Sequence, residues 1–350
     1  MPTHGRHVER PGRRPKVVVI VVSFESAAEL AVSLPVVLGQ PVDEVIVVDN
    51  DSQDGSAEVA ARWGATVVRS GINDGFGAAA NRGARATADA DVLVFVNPDA
   101  VPVGQCLGLL AEAAWASGGV AGPVVRTGGA KGQIHRGTRF DILGMPIELV
   151  GPGRPLFVQG CTLAIDARLF RRLGGFDDRY FLFAEDAELC LRALRAGADV
   201  AVVPDAVVEH SGGATVAGGY VRGGRRQIAD LRFGLRERNT LALMISDAPA
   251  VWLVAFVPLH VSKVVALAIV LRALGRRQLS SMLLEGLRWN YRERGRSLDR
   301  RRALIAQPGW WRELRGRVVP LALVGHVRRD GWPTFIGAGV SQDAAGNDQK

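Results

Sequence analysis

Four short runs of β-branched residues, separated by helix-like stretches, constrain the fold of this chain more than any other feature. The runs span residues 16–23, 44–49, 66–69 and 91–96. The helix-like stretches span residues 26–38, 56–63 and 77–88. Continuous apolar strands are typical of parallel sheets buried on both faces, and the intervening helices supply the crossovers that such sheets need. The sequence therefore predicts an α/β fold with a mainly parallel sheet flanked by helices, whose ligands bind beyond the carboxyl ends of the strands.

The pattern is less regular after residue 105. Residues 118–155 are rich in Gly and Pro and weakly periodic, which predicts a surface region over the site. We expect three further elements. They are a strand at 156–165, a helix at 184–196 that ends before Gly197, and a strand at 199–203 that ends before Pro204. The length of 350 residues suits one large α/β domain with an appendage, or two domains.

Composition narrows the class of protein. Hydrophobic residues make up 48% of the chain and charged residues 22%, which excludes global disorder. The three cysteines, Cys106, Cys161 and Cys190, are widely spaced, so they indicate neither a zinc motif nor a disulfide framework and favour a reducing compartment. The apolar run at 17–22 is too short for the core of a signal peptide, so we expect no export.

The C-terminal part of the chain carries the excess of positive charge. Residues 271–329 contain 15 arginines against 4 acidic residues, while the whole chain has a formal net charge of +8. Nucleic acid, an anionic membrane surface, or solvent alone could face such a segment. No helix-turn-helix, zinc finger or aromatic-basic RNA platform accompanies the arginines, so nucleic acid is the weakest of the three, and we expect no nucleic-acid partner.

The arginine-rich segment follows an apolar run at residues 248–274. Pro258 and Lys263 lie near the centre of this run, which argues against a membrane-spanning helix. We expect a helix hairpin that lies in the headgroup region, with the following arginines against anionic lipid. A buried helical subdomain with a solvated arginine face is the alternative.

The loops after the predicted strands carry polar residues. Ser23 ends the first strand, and residues 49–54 after the second include several acidic or amide side chains. These suit a helix-capping turn, yet Asn50 also matches the donor and acceptor edge of a pyrimidine. Residues 71–83 are rich in glycine, which lets backbone approach a phosphate or ribose. They follow the acidic residues rather than precede them, and this order argues against a nicotinamide-dinucleotide fingerprint.

Two further loops carry carboxylates. Asn97 and Asp99 follow the fourth strand, and this pair is either an ordinary turn or a site for Mg²⁺ or Mn²⁺. Glu185 and Asp186 open a helix, where acidic residues stabilise the helix dipole. They also follow an aromatic run at 180–183 that would partly desolvate them, and desolvation raises a carboxyl pKa towards that of a useful general base.

Taken together, these motifs resemble the family 2 glycosyltransferases, and most of all their bacterial rhamnosyltransferase branch. The matching segments are Val22-Ser23-Phe24, Val48-Asp49-Asn50-Asp51-Ser52, Gly75-Phe76-Gly77 with Asn81, Asn97-Pro98-Asp99, and Gly174-Gly175-Phe176-Asp177 with Glu185-Asp186. The resemblance covers about residues 16–245, and the order and spacing of the motifs make it specific. It implies a GT-A fold and an inverting sugar transfer from a nucleoside-diphosphate donor, dTDP or UDP, assisted by Mg²⁺ or Mn²⁺.

The resemblance also implies roles for residues at the nucleotide. Ser23, Asp49 and Asn50 match positions that hold the nucleoside base. Gly75 and Asn81 lie in the loop that faces the ribose and the diphosphate.

The metal and the reaction are implied in the same way. Asp99 matches the last acid of the family's metal motif, and Asn97 stands here at the position of that motif's first acid. His210 matches a late histidine that approaches the metal or the diphosphate. Asp186 matches the general base, and Glu185 lies beside it on the acceptor side.

The remaining expectations concern organisation and partners. Arg238 matches a polar position near the diphosphate or behind its ligands, at the start of the C-terminal helices. The expected division is a disordered basic arm at 1–15, a GT-A domain at 16–245, a helical membrane-associating region at 246–330 and a disordered tail at 331–350. The expected activity moves rhamnose or another hexose to a glycan or lipid-diphosphate-linked acceptor during cell-envelope polysaccharide synthesis, on the cytoplasmic face of the plasma membrane.

Three other functions compete with this one. A non-catalytic nucleotide-sugar-binding scaffold at the membrane would keep Asp49 and Asp99 without needing Asp186. A sugar nucleotidyltransferase would need a basic glycine-rich loop after the first strand, where residues 23–26 offer none. A processive polysaccharide synthase would need several membrane spans and a Gln-Xaa-Xaa-Arg-Trp motif.

Overall fold

The computed structural model describes residues 12–127, 133–141, 146–149, 151, 153–210, 225–247, 250–305 and 318–319. Its helices are α1 (Ala27–Leu38), α2 (Ser56–Arg62), α3 (Phe76–Arg85), α4 (Cys106–Ser117), α5 (Ala167–Leu173), α6 (Glu185–Arg195), α7 (Arg225–Asp247), α8 (Ala250–Ala273), α9 (Arg277–Arg292) and α10 (Arg294–Ile305). Its strands are β1 (Val17–Ser23), β2 (Glu44–Asp49), β3 (Thr66–Arg69), β4 (Val92–Val96), β5 (Ala100–Val103), β6 (Val120–Thr127), β7 (Gln133–His135), β8 (Thr138–Asp141), β9 (Pro146–Glu148), β10 (Thr162–Asp166), β11 (Val200–His210) and β12 (Val318–Val319).

Nine strands of the described residues form one sheet in the order β3-β2-β1-β4-β10-β6-β11-β5, with β7 paired to β6. The neighbours β3, β2, β1 and β4 are parallel, which confirms the predicted α/β pattern and the positions of its four strands. β10 pairs antiparallel with both β4 and β6, so the sheet is mixed beyond β4. A second sheet has three strands, in the order β12-β8-β9.

The side chains of β1 alternate between two hydrophobic layers. Even-numbered positions such as Ile20 pack with residues of α3, α5, α6 and α7, and odd-numbered positions such as Val19 pack with residues of α1 and α4. All residues of β1 are buried, which explains why this strand reads as a continuous apolar run. Each such Val or Ile side chain contributes roughly 1.5–3 kcal/mol by burial. The sheet is therefore a rigid support for the loops at the strand ends.

Residues 120–127 correct the expectation of a surface region at 118–155. They form β6, a largely buried strand in the interior of the sheet. Gly122 and Pro123 conceal its strand character in the sequence, and glycine is required at position 122 because a Cβ there would lie 2.4 Å from Val158 Cβ.

Two strand boundaries also differ from the prediction. The strand expected at 156–165 begins only at Thr162. β11 continues through Pro204 to His210, because its register with β6 shifts between Val202 and Val207 and accommodates the proline there. This extension matters for the site, since it carries His210 to the end of the strand.

The apolar run that was expected to form a hairpin forms a single helix, α8, which packs against α7 and α9. Its buried side chains form a small core with α9, made of Val264, Ala268, Leu271, Leu279 and Leu283. Within the described residues, Phe256–Ala273 is long and apolar enough to cross a membrane, and 28% of this segment is buried in the protein.

The expected terminal segments lie mostly outside the described residues, which begin at Gly12 and end at Val319. Arg13, near the end of the expected basic arm, forms a bidentate ion pair with Asp91, with both N–O distances 2.8 Å. The four domain boundaries stay predictions.

Candidate active site

The loops that follow β1 and β2 lie side by side at one edge of the sheet. Ser23 pairs with Asp49 in the parallel register, so the two strands end at the same level. The backbone N–H of Glu25 donates to Ser52 Oγ (3.0 Å), and Glu25 Oε1 accepts from the N–H of Gln53 (2.9 Å). The first two predicted site segments are thus held together.

Three predicted nucleotide residues are buried at this edge: Ser23, Asp49 and Asn50. The Ser23 hydroxyl has no hydrogen-bond partner within the described parts of the chain. Burial raises the pKa of Asp49, and the Asn50 carboxamide lies 2.9 Å from that of Asn73 in the glycine-rich loop. Because buried polar atoms are normally bonded, an orphaned hydroxyl indicates a place where a ligand can bind. That these residues hold a nucleoside base stays a prediction.

The glycine-rich loop packs directly against the segment before α6. Gly75 has φ +92°, and a Cβ at this position would lie 2.2 Å from the Phe181 carbonyl oxygen, so only glycine fits. The N–H of Phe76 donates to the same oxygen (2.9 Å). The Asn81 carboxamide accepts from Phe176 N–H (2.8 Å) and donates to Phe176 O (2.9 Å). The structure thus gives Gly75 and Asn81 packing and positioning contacts, and their nucleotide contacts stay predictions.

Asp99 and His210 meet at the end of the sheet beyond β4. His210 Nε2 lies 3.2 Å from Asp99 Oδ1, and both side chains are partly exposed. They meet because β11 pairs with β5, which places His210 opposite Ala100. Asn97 instead donates its backbone N–H to the Cys161 carbonyl (2.8 Å). One carboxylate and one imidazole fit Mn²⁺ or Mg²⁺ as a partial ligand set, which donor phosphate oxygens and water would complete.

A short segment at Gly160 and Cys161 connects the predicted metal residues to the predicted base. The Gly160 N–H donates to Asp186 Oδ2 (2.8 Å), and the next residue accepts the Asn97 hydrogen bond. Burial, together with the charges of Asp99 and Asp186, raises the pKa of the Cys161 thiol, so both carboxylates are near this segment. The sequence does not reveal this link, because its only signal is a glycine two residues before the apolar strand β10.

Glu185 and Asp186 differ in exposure although they are adjacent in α6. Glu185 is 7% exposed, and its Oε2 has no partner in the described structure. Burial and the neighbouring charge of Asp186 raise the pKa of Glu185 to about 8. Asp186 is partly exposed and accepts from the N–H groups of Gly160 and Ala187 (2.7 Å for the latter), while burial raises its pKa as well. Burial thus raises both pKa values, and Asp186 is the more exposed residue of the two.

Backbone strain is concentrated around this site. Among the described residues, the non-glycine residues with positive φ are Glu25 (49°), Asp51 (72°), Phe183 (71°) and Ala184 (69°). The first two lie in the loops after β1 and β2, and the last two directly precede Glu185. Such conformations cost about 1–3 kcal/mol each and are retained where function requires them.

The start of the C-terminal helices supports the strained segment. The Asn239 carboxamide donates to the carbonyls of Leu182 (2.8 Å) and Phe183 (2.7 Å), so α7 fixes the backbone before α6. The guanidinium of Arg238 stacks on the Trp289 ring at 4.4 Å and donates to Asn239 Oδ1 (2.8 Å). Its contact with a diphosphate stays a prediction.

The site therefore combines a buried polar edge, a carboxylate–imidazole pair and the carboxylate of a partly exposed aspartate whose pKa is raised. The structure brings Asp99, His210 and Asp186 to the carboxyl end of the sheet around Gly160 and Cys161. Within the described residues, no group of three or more His, Cys, Asp or Glu side chains is arranged to hold a metal by itself.

Comparison with known families decides which class of enzyme this arrangement belongs to. Residues 18–174 match the family described as "Glycosyl transferase family 2", and residues 99–328 match "Glycosyl transferase family group 2". The second match alone covers more than half of the chain. The chain belongs to glycosyltransferase family 2. This confirms the family resemblance and the identification of the protein as an enzyme.

Among curated proteins, this family 2 glycosyltransferase is distantly similar to N-acetylglucosaminyl-diphospho-decaprenol L-rhamnosyltransferase of Mycobacterium tuberculosis. The proteins of strains CDC 1551 / Oshkosh and ATCC 25618 / H37Rv are each 29% identical to it over 233 residues, which is 55% of this chain and 75% of theirs.

Two solved glycosyltransferase structures share its fold. The structure of GalNAc-T7 with UDP, GalNAc and Mn²⁺ superposes with a TM-score of 0.54 at 15% identity. The superposition covers 67% of this chain and 48% of GalNAc-T7, so this chain spans about half of the length of GalNAc-T7. Mannosyltransferase PcManGT from Pyrobaculum calidifontis, in complex with GDP-Man and Mn²⁺, gives a TM-score of 0.50 at 20% identity, covering 86% of this chain and 88% of that one. The protein has the predicted GT-A fold, followed by a C-terminal helical region.

Proposed function

We propose that this glycosyltransferase moves a sugar, with rhamnose the first candidate, from a nucleoside-diphosphate donor to a hydroxyl of a lipid-diphosphate-linked glycan with inversion. The observation that carries the proposal is the convergence of Asp99, His210 and Asp186 around Gly160 and Cys161. A scaffold that only binds the donor would have no use for a second carboxylate, with a raised pKa, near the Asp99–His210 pair.

Asp186 supplies the chemical step in this proposal. An acceptor hydroxyl must lose its proton as it attacks the anomeric carbon, and inversion places it on the face opposite the leaving diphosphate. Asp186 takes that proton on the carboxylate that the N–H groups of Gly160 and Ala187 orient. General-base catalysis of this kind contributes roughly 10²–10⁴-fold. Glu185, buried beside it with its pKa raised to about 8, keeps a proton at neutral pH and so avoids two adjacent charges.

Asp99 and His210 would hold a divalent cation, Mg²⁺ or Mn²⁺, with Asn97 beside them. When bound, the cation would offset the negative charge that develops on the departing diphosphate. Ser23, Asp49 and Asn50 line the buried edge where the base would lie, and the orphaned Ser23 hydroxyl supports a ligand contact there. The choice between dTDP and UDP is left to the experiment.

The acceptor proposal rests on the curated relatives and on the C-terminal helices. The relatives are named for a lipid-diphosphate acceptor, and the outer face of α8 is apolar. Val254 and Ile269 of α8 and Leu274 just after it are 80%, 64% and 67% exposed. The exposed basic residues nearby are Lys263 within α8, Arg272 near its end and Arg277 at the start of α9. An apolar helix face bordered by arginines suits the headgroup region of an anionic membrane. We therefore place the enzyme on the inner face of the plasma membrane.

The activity is tested by incubating the full-length protein with Mn²⁺, an N-acetylglucosaminyl-diphospho-prenol acceptor and either dTDP-rhamnose, UDP-glucose or UDP-N-acetylglucosamine. We expect transfer from dTDP-rhamnose that is abolished by a chelator and by Asp186→Asn. Binding of a donor without transfer or hydrolysis in any combination would favour the scaffold instead.

Membrane association is tested by flotation with vesicles of phosphatidylglycerol and of phosphatidylcholine. The variant Ile269→Glu/Leu274→Glu should lose flotation with phosphatidylglycerol, because it places two charges on the apolar face. The matched control Val32→Glu/Trp63→Glu alters exposed apolar residues of the catalytic domain (65% and 49% exposed) and should still float. Equal flotation of both variants would remove α8 from the proposal.

A further inference from the structure

A cavity of about 830 Å³ lies between α3, the loop after α5, the second half of α6 and α10. Six arginines line it: Arg85, Arg172, Arg179, Arg192, Arg296 and Arg300. Its lining carboxylates are Asp177 and Asp178. Asp186 starts α6, whereas Arg192 lies six residues further along, about 9 Å at the rise of an α-helix. Asn81, one of the predicted nucleotide residues, also lines the cavity, whereas Asp99, Asp186 and His210 do not.

The inner wall of the cavity is a network in which guanidinium groups share carboxylates. Arg192 donates two hydrogen bonds to Glu188 (2.5 and 2.6 Å), and Arg179 donates to Asp177 (2.6 Å). Arg300 of α10 donates to both Asp177 and Glu188. Burial lowers the pKa of Arg192 and Arg300, a sign that water solvates these cations poorly. Three cations therefore share two buried carboxylates.

The outer wall adds cations that have no partner among the described residues. Arg85 at the end of α3 and Arg172 near the end of α5 are exposed, and neither side chain has a hydrogen bond or ion pair with any described residue. Within the part of the chain that the structure describes, Arg296 pairs only with Glu293, at the surface (3.4 Å). With Glu188 and Glu293 included, six arginines face four carboxylates, so the cavity keeps an excess of positive charge.

We propose that this cavity binds a phosphate-bearing ligand with at least two negative charges. Guanidinium groups match phosphate oxygens in pairs, and a cluster of them on separate elements is the usual protein site for such a group. The ligand would bridge Arg85 and Arg172 of the catalytic domain to Arg296 and Arg300 of α10. Its binding would fasten the C-terminal helices to the domain that carries Asp186. A soluble diphosphate and a lipid headgroup share this chemistry.

The test uses the full-length protein in EDTA, so that a metal-dependent donor site does not contribute, with inorganic pyrophosphate as the probe. At about tenfold excess over the dissociation constant we expect Tm to rise by about 2 °C or more. The variant Arg85→Gln/Arg172→Gln should lose this rise. The matched control Arg62→Gln/Arg168→Gln, which changes two exposed arginines outside the cavity, should keep it. Asp99→Ala should also keep it, which separates this cavity from the proposed donor site.

A second measurement identifies the source of the phosphate. Flotation with phosphatidic acid vesicles, whose headgroup phosphate can carry two negative charges, is compared for the wild type, Arg85→Gln/Arg172→Gln and the control. A loss in the cavity variant alone supports a lipid headgroup as the ligand, and a loss of the pyrophosphate shift alone supports a soluble one. The proposal is overturned if the cavity variant matches the control in both measurements, or if the wild type responds to neither probe.

Discussion

Replacing Asp186 with asparagine separates the chemical role of this residue from its structural one. The carboxylate accepts from Gly160 N–H (2.8 Å) and Ala187 N–H (2.7 Å), and asparagine has a single acceptor oxygen. One of these hydrogen bonds is therefore lost, at a cost of about 1–3 kcal/mol in the free energy of unfolding. Part of this cost is offset, because burial disfavours the charged carboxylate that the substitution removes.

The effect on turnover should be larger than the effect on stability. Loss of the general base lowers kcat by about 10²–10⁴-fold, which corresponds to about 3–5 kcal/mol in the activation barrier. Donor affinity should stay within about threefold, because Asp186 is proposed to contact the acceptor and not the nucleotide. The assay measures kcat with a saturating acceptor, donor affinity by calorimetry, and Tm.

Asp166→Ala is the matched control for this prediction. Asp166 caps α5 by accepting from Leu169 N–H (2.9 Å), at the end of β10 away from the site. Its loss should cost about 0.5–2 kcal/mol of stability and leave kcat unchanged. The reasoning fails if Asp186→Asn keeps kcat within a few-fold of the wild type, or if its donor affinity falls as far as its kcat.

Three further predictions concern other parts of the site. Asp99→Ala should weaken Mn²⁺-dependent donor binding at least about tenfold, measured by calorimetry with and without EDTA, and unchanged affinity would exclude Asp99 as a ligand. Glu185→Gln should become increasingly stable relative to the wild type as pH rises from about 4.5 to 8. The reason is that the pKa of Glu185 is raised to about 8 in the folded protein. The wild type therefore loses up to about 1.4 kcal/mol in the free energy of unfolding per pH unit over this range, and the glutamine variant does not. Urea unfolding at several pH values measures the difference in the free energy of unfolding between the variant and the wild type. A difference that does not change with pH contradicts the raised pKa of Glu185. Gly75→Ala should destabilise the protein by about 2–4 kcal/mol, because its Cβ would lie 2.2 Å from the Phe181 carbonyl oxygen at φ +92°, and a loss below about 0.5 kcal/mol would show that the loop moves freely.

Motifs within one loop could be predicted from the sequence, while contacts between loops could not. Raised pKa values for Glu185 and Asp186 were expected from the apolar and aromatic residues just before them, and burial is the largest cause of both shifts. The hydrogen bond from Gly160 N–H to Asp186 could not be predicted from the sequence. Gly160 is positioned by the antiparallel strand β10 that follows it, and no residue near Gly160 in the chain indicates its partner. Asn81 and Arg238 were given ligand roles from the family pattern, and the structure shows them bonded to Phe176 and stacked on Trp289.

The amino-acid sequence alone determined the α/β class, the family and the first four strands, because β-branched runs buried on both faces leave a local signature that needs no partner to be read. The tertiary structure decided that β6 is a central strand, that β11 continues through Pro204, and that α8 is one helix. It also decided which carboxylates meet. Asp99, His210 and Asp186 are far apart in the chain, and strand order and register, set by the packing of the whole sheet, bring them together.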